Sequence, residues 1–114
     1  MHELAITESL IRVAVNAADG RRVHAIHLAI GALSSVVDDS VQFYFDFLSR
    51  DSLAAGAILH FRRIPASARC QACGHQQPVV PPLPPACPVC ASVELRISGG
   101  VEFHVESIEV ADDP

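Results

Sequence analysis

Apolar residues recur every three or four positions in two stretches of the N-terminal half. Residues 4–18 predict a helix that ends at Asp19-Gly20, with an apolar face made of Ile6, Leu10, Val13, Ala14 and Ala17. A second helix is predicted from residue 38 to about Ser49, with Asp38, Asp39 and Ser40 offering N-cap oxygens. Its apolar stripe would consist of Val37, Val41, Tyr44 or Phe45, and Leu48.

Three other stretches alternate between apolar and polar residues, as half-buried strands do: 23–30, 57–64 and the residues that follow Gly99-Gly100. In the last stretch Val101, Phe103 and Val105 would face one side, and a change of parity near Ser107 predicts a β-bulge. Its apolar face needs cover from the first sheet. The predicted fold is therefore α+β, with two helices packed on a three-stranded sheet.

Residues 66–98 differ from the rest in composition. They hold six of the eight prolines, all four cysteines and few large apolar residues, so they cannot build a hydrophobic core unaided. We expect an inserted four-cysteine, zinc-ribbon-like knob. The predicted domains are 1–65 plus 99–114, and 66–98.

The cysteines form two Cys-x-x-Cys pairs, Cys70/Cys73 and Cys87/Cys90, separated by 13 residues. Each pair can form a tight turn that aims two sulfurs at one point, and four thiolates without an open position are typical of structural zinc. An iron centre of rubredoxin type uses the same ligands, so spacing alone does not exclude it. Redox-active pairs are disfavoured because neither pair follows a strand at a helix start. His75 could replace a thiolate, although a surface position is the simpler interpretation.

Charge and composition narrow the classes of function. The 114-residue chain has a formal charge of −5, no lysine, and five acids without a base in residues 99–114. This balance disfavours binding to nucleic acid or to an anionic membrane. No nucleophile elbow, phosphate loop or catalytic carboxylate pair is present, so we do not expect an enzyme. Neither a signal peptide nor a membrane span is visible, which predicts a cytoplasmic protein.

The N-terminus offers a second set of metal ligands. A bulky second residue favours retention of Met1, whose α-amine can chelate one metal together with the backbone nitrogen and imidazole of His2. Such nitrogen donors suit Ni(II) or Cu(II), and Glu3 adds a carboxylate. The alternative is an ordinary helix start in which Glu3 favours the helix N-terminus.

Several segments, in order along the chain, resemble the HypA family of nickel metallochaperones for [NiFe]-hydrogenase maturation. They are Met1-His2-Glu3 followed by Leu4-Ala5-Ile6-Thr7-Glu8-Ser9, then Ile30-Gly31-Ala32-Leu33-Ser34, Ala55-Gly56-Ala57, and the two Cys-x-x-Cys pairs with Cys-Pro-x-Cys at Cys87. The resemblance covers essentially the whole chain, and the combination is specific although each piece alone is not.

The resemblance implies a nickel site at Met1, His2 and Glu3, with Ni²⁺ as transferred cargo, and a separate structural Zn²⁺ at the cysteines. It also implies delivery of nickel to the hydrogenase large subunit with a partner GTPase, in some organisms also for urease. We expect a monomer or weak homodimer. Many members carry an acid where this chain has Val37; either Asp38 reaches the metal from a shifted helix start, or that carboxylate is dispensable.

Two alternatives from other classes remain at this point: a nucleic-acid-binding zinc ribbon, and an adaptor without nickel function. Residues 66–98 contain only Arg69 and Arg96 as bases and no aromatic residue, which disfavours the first. The histidines on the predicted strands are expected to be surface residues rather than ligands, because no Cys, Asp or Glu stands at ligand spacing around them in the sequence.

Overall fold

The computed structural model describes residues 3–112 and contains two α-helices and six β-strands within that range. The helices are α1 (Glu3–Ala18) and α2 (Asp38–Leu48). The strands are β1 (Val23–Gly31), β2 (Ile58–Ile64), β3 (Ala66–Cys70), β4 (Gln76–Val79), β5 (Leu95–Ser98) and β6 (Phe103–Val110).

The first sheet has the strand order β2-β1-β6, so the last strand of the chain returns to the first one. Helix α1 packs against both α2 and β6. The largest fully buried side chains belong to α1, α2 and the central strand β1, and they are Phe45, Leu10, Ile26, Leu28 and Ile30. The predicted α+β architecture of two helices and a three-stranded sheet is confirmed.

The buried face of α1 is rotated from the predicted one. Thr7, Leu10, Ala14 and Ala18 are buried, whereas Val13 is 49% exposed, so its predicted place in the core is wrong. The Thr7 hydroxyl donates to the Glu3 carbonyl at 2.6 Å, which lets a polar side chain be fully buried in the helix. The apolar pattern located the helix, but its packing partners decided which residues face inward.

The start of α2 also differs from the prediction. The N-cap is Val37, which has extended backbone angles and no side-chain cap, and Asp38 and Asp39 lie in the first turn. The predicted capping by Asp38, Asp39 or Ser40 is therefore wrong. Acidic residues in a first turn still favour the helix, because they interact with its partial positive charge.

Strand β6 begins at Phe103, two residues later than the alternation suggested, and Val101 is 69% exposed rather than part of the apolar face. Glu106 and Ser107 are consecutive exposed residues, so the exposure pattern changes parity where the sequence predicted a bulge. The change places Glu109, like Glu106, among the exposed positions of the strand.

The second sheet has the order β4-β3-β5, with both neighbours antiparallel to β3. Its core consists of Ala66, Ala68 and Val79, with Leu33 and Ile97 packed against them. Such small side chains bury little apolar surface, and segments of this kind usually need a metal to stabilise the fold.

The chain divides into two compact units. One contains the described residues up to Ala29, Ser35–Arg62 and those from Phe103 onward; the other contains Ile30–Ser34 and Arg63–Glu102. The predicted assignment of nickel to one domain and zinc to the other stays a prediction. Within residues 3–112 no helix is both long enough and apolar enough to cross a membrane.

Candidate metal centres

The first cysteine pair lies in a turn that begins where β3 ends. The backbone N–H of Cys70 donates to the His75 carbonyl at 2.8 Å, and the N–H of Gly74 donates to the Cys70 carbonyl at 2.9 Å. The N–H of Cys73 points at the Cys70 sulfur, 3.4 Å away. Gly74 has a φ of 82°, a left-handed conformation that glycine adopts without steric cost.

The second pair repeats this turn almost bond for bond. Cys87 N–H donates to the Ser92 carbonyl at 2.8 Å, and Ala91 N–H donates to the Cys87 carbonyl at 2.9 Å. The N–H of Val89 lies 3.4 Å from the Cys87 sulfur. Ala91 occupies the place of Gly74 in this turn and also has a positive φ, 63°. The alanine therefore carries backbone strain that glycine would not.

The two turns bring all four predicted cysteine sulfurs within 4.8 Å of one another. The Sγ atoms of Cys70 and Cys90 are 3.5 Å apart, and those of Cys73 and Cys87 are 3.6 Å apart. A tetrahedral zinc with Zn–S bonds of about 2.3 Å has sulfur separations of about 3.8 Å. The arrangement therefore fits a four-thiolate zinc site.

The hydrogen bonds and close sulfurs of the cluster shift the pKa values of its thiols in opposite directions. The Cys73 backbone N–H lowers the pKa of Cys70 to about 6, because it stabilises the thiolate. A hydrogen bond from the Ser92 backbone lowers the pKa of Cys90, but the adjacent Cys70 sulfur and burial together raise it to about 12. Four such close sulfurs can all be thiolates only when a cation balances their charge.

His75 lies beside the cluster but has another partner. Its Nε2 is 3.0 Å from Gln77 Oε1, and its backbone carbonyl accepts the Cys70 N–H. It is not among the group of potential ligands that the four cysteines form.

The predicted N-terminal ligands Met1 and His2 lie outside the described residues. Glu3 is described, and its Oε2 lies 3.4 Å from the backbone nitrogen of Val37, the residue before α2. The first residue of α1 is therefore next to the start of α2, where Asp38 stands.

A second group of potential ligands, which the sequence analysis missed, lies on the first sheet. One ligand atom each from His27, His60 and Glu109 falls within 4.8 Å of the others. No acid stands at ligand spacing from these histidines in the sequence, but the strand order brings Glu109 to His27 and His60. That the strand histidines are surface residues rather than ligands stays a prediction. The sequence signal was the parity change near Ser107, but it identifies Glu109 only once the strand order is known.

A small α+β protein with a four-cysteine cluster suited to zinc is the class that the fold and the geometry define. The family model described as "Hydrogenase/urease nickel incorporation, metallochaperone, hypA" matches residues 1–110. The chain belongs to the HypA family, whose members are nickel metallochaperones for hydrogenase maturation and not enzymes.

Individual relatives agree over nearly their whole length. "Hydrogenase maturation factor HypA" of Dehalococcoides mccartyi is 45% identical over 121 aligned residues, covering 99% of this chain and 97% of the relative. The protein of the same name from Geobacter metallireducens is 41% identical over 96% of this chain and 99% of its own. The solution structure of the Ni metallochaperone HypA from Helicobacter pylori is 25% identical, with a TM-score of 0.61, over 96% of this chain and 97% of that one.

Proposed function

We propose that this protein binds Ni²⁺ through the Met1 α-amine and His2, with Glu3 beside them, and delivers it to a [NiFe]-hydrogenase in the cytoplasm. Family membership is the observation that carries the proposal, because the matching model is one for nickel incorporation and extends through the N-terminus. An amine, an imidazole and backbone nitrogens are donors that suit Ni(II).

The surroundings of Glu3 support this assignment. The Glu3 carboxylate is directed towards the start of α2, where Asp38 and Asp39 occupy the first turn. A helix N-terminus carries partial positive charge and would by itself repel a cation. Acidic side chains at the starts of both helices offset that charge, so the neighbourhood of Glu3 is compatible with a divalent ion.

Asp38 is the candidate for an additional carboxylate ligand. Asp38 directly follows Val37 in the chain, and the Val37 N–H lies 3.4 Å from the carboxylate of Glu3, the first residue of α1. Asp38 is therefore the residue next to the one that contacts Glu3. Ligation by Asp38 stays a prediction.

The proposed role of zinc is structural. Cys70, Cys73, Cys87 and Cys90 would form a closed thiolate site that joins the two turns, in a unit whose core is made largely of alanine. A closed site of four thiolates gives up its metal reluctantly, whereas a site with few ligands and open coordination positions can exchange its metal. The two metals would therefore have different tasks, support for the fold and cargo.

Nickel titration of the untagged, zinc-loaded protein tests the cargo site. His2→Ala, and a variant with two residues added before Met1, should each weaken the tightest nickel equivalent by at least about tenfold. His104→Ala, which changes another exposed histidine, is the matched control and should leave that equivalent intact. Equal nickel affinity in all four proteins would refute the N-terminal site, while an unchanged zinc content of about one per chain shows that folding is preserved.

Delivery would involve the nickel-insertion GTPase of the pathway and the hydrogenase large subunit as partners. A strain lacking the gene should recover hydrogenase activity with the wild-type protein and with His104→Ala, but not with His2→Ala. Full recovery with His2→Ala would contradict nickel delivery and favour an adaptor function.

A further inference from the structure

Three neighbouring strands each contribute one potential ligand to the cluster of His27, His60 and Glu109. The imidazoles of His27 on β1 and His60 on β2 are stacked, with centroids 4.6 Å apart and planes 10° apart. Glu109 on β6 approaches from the other side of β1, and its Oε2 lies 2.6 Å from His27 Nε2. We call these three residues the sheet-face cluster.

The cluster follows from strand order and exposure. Because β1 lies between β2 and β6, side chains from all three strands can meet only around a residue of β1. The His27 side chain is 36% exposed and that of Glu109 is 62% exposed, so an ion can reach them from solvent.

An ordinary ion pair explains only part of this arrangement. His27 and Glu109 alone would satisfy each other, and the hydrogen bond from His27 is the main cause that lowers the pKa of Glu109. That pair gives no reason for a second imidazole to lie parallel to His27 within ligand distance. The Arg62 guanidinium donates two hydrogen bonds, of 2.9 and 2.6 Å, to the carboxylate of Glu106. These bonds pair Arg62 with Glu106 rather than with Glu109.

We propose that the sheet-face cluster is a metal site for a borderline divalent cation such as Ni²⁺, Cu²⁺ or Zn²⁺. Imidazoles are donors that such ions prefer and hard cations such as Mg²⁺ do not, and the carboxylate adds a charged oxygen ligand. On binding, the cation takes the place of the proton on His27 Nε2. That proton leaves to solvent and Nδ1 carries the ring's one remaining proton, taken from solvent if it was not there before, so the ring stays a neutral imidazole. Glu109 changes from hydrogen-bond acceptor to ligand. Metal–ligand distances of about 2.0–2.2 Å place neighbouring ligand atoms about 3 Å apart. His27 Nε2 and Glu109 Oε2, now 2.6 Å apart, must therefore separate slightly, while all three ligand atoms stay within the 4.8 Å they now span. The side chains of His60 and Glu109 are exposed and can rotate to achieve this.

The site is independent of the proposed N-terminal cargo site and of the cysteines, because it shares no residue with either. Besides the proposed N-terminal site, the protein would then have an exchangeable metal site on the sheet formed by β2, β1 and β6. With three ligands and open coordination positions, it should hold metal less tightly than four thiolates would.

Calorimetric titration in a His2→Ala background, with the cysteine site loaded with zinc, tests the proposal. Ni²⁺, Cu²⁺ and Zn²⁺ are added in separate experiments, with Mg²⁺ as the hard-cation control. We expect one further equivalent of at least one of the three, weakened at least about tenfold by His60→Ala and by Glu109→Gln. His104→Ala, an exposed histidine on β6 outside the cluster, should not weaken it.

Nitrogen NMR of the imidazoles gives a second readout that does not depend on affinity. Sub-stoichiometric Zn²⁺ should shift the ring resonances of His27 and His60 together and leave those of His104 in place. Absence of the further equivalent, equal affinity in all variants, or equal binding of Mg²⁺ would overturn the proposal. Because Glu109→Gln changes an exposed side chain, its folding can be checked by circular dichroism even if His60→Ala is destabilised.

Discussion

Gly31 provides the sharpest test of packing in the second unit, the one made of Ile30–Ser34 and Arg63–Glu102. A methyl group added at Gly31 would lie 2.1 Å from the carbonyl carbon and oxygen of Gly100 and 2.4 Å from the nitrogen of Val101. All three atoms belong to the backbone, so no side-chain rotation can relieve the contact. The Gly31→Ala substitution must therefore move one chain segment away from the other.

The displacement sets the size of the effect. Since ordinary contacts begin at 3.4 Å, the backbones must separate by about 1.3 Å. This would break the hydrogen bonds from Gly31 N–H to the Glu102 carbonyl and from Leu33 N–H to the Gly100 carbonyl, both 2.7 Å. Each broken backbone bond costs about 1–3 kcal/mol when its groups stay buried, so we expect Gly31→Ala to destabilise by about 3 kcal/mol or more.

Urea unfolding of the zinc-loaded protein, followed by circular dichroism, measures this loss. Gly20→Ala is the matched control, because Gly20 has a φ of 86° but no atom within 4 Å of the added methyl group. Its cost should be that of the left-handed backbone alone, about 1 kcal/mol. If the two variants lose the same stability, the close approach at Gly31 does not contribute and the reasoning is refuted.

The remaining predictions concern the cysteine site, the core and pH. Cys87→Ser should abolish the zinc equivalent found by metal analysis and lower the protection of the second unit against proteolysis; zinc retained at one per chain would contradict a four-thiolate site. Ala91→Gly should raise stability by about 0.5–1 kcal/mol in urea unfolding, because it relieves the positive φ, whereas a loss would show that the turn is unstrained. Phe45→Ala should cost about 3–5 kcal/mol, since Phe45 is 1% exposed, and a thermal midpoint unchanged from wild type would place it outside the core. The hydrogen bond from Arg62 lowers the pKa of Glu106 in the folded state, so the ionised carboxylate stabilises the protein above pH 4.5 and this contribution is lost as pH falls through the folded-state pKa. Glu106→Gln should remove this part of the acid dependence of the free energy of unfolding. The same dependence on pH in wild type and variant would refute the prediction.

Local signals in the sequence were enough for the elements whose structure depends on neighbouring residues. The spacing of Cys70, Cys73, Cys87 and Cys90 predicted a cluster, because a Cys-x-x-Cys turn brings two sulfurs together with only a few backbone bonds. The helical period located α1, and alternation located the strands of the first sheet. The need to cover the last strand predicted its return, which the order β2-β1-β6 confirms.

The same signals did not give the strands β3, β4 and β5, where prolines and small residues hide the alternation. Nor did they give the exact buried face of α1, where Thr7 is buried and Val13 is exposed. An apolar stripe fixes a helix face only to within about one residue, and contact with α2 and β6 decides the rest.

The sequence by itself determined that Cys70, Cys73, Cys87 and Cys90 form one cluster, since the sulfur donors belong to the side chains and each Cys-x-x-Cys motif is local. Only the tertiary structure decided that His27, His60 and Glu109 meet, because they lie far apart in sequence and come together through strand order and a change of parity in β6. A motif within one turn is fixed by its own backbone, whereas a cluster drawn from three strands exists only when the whole sheet has formed.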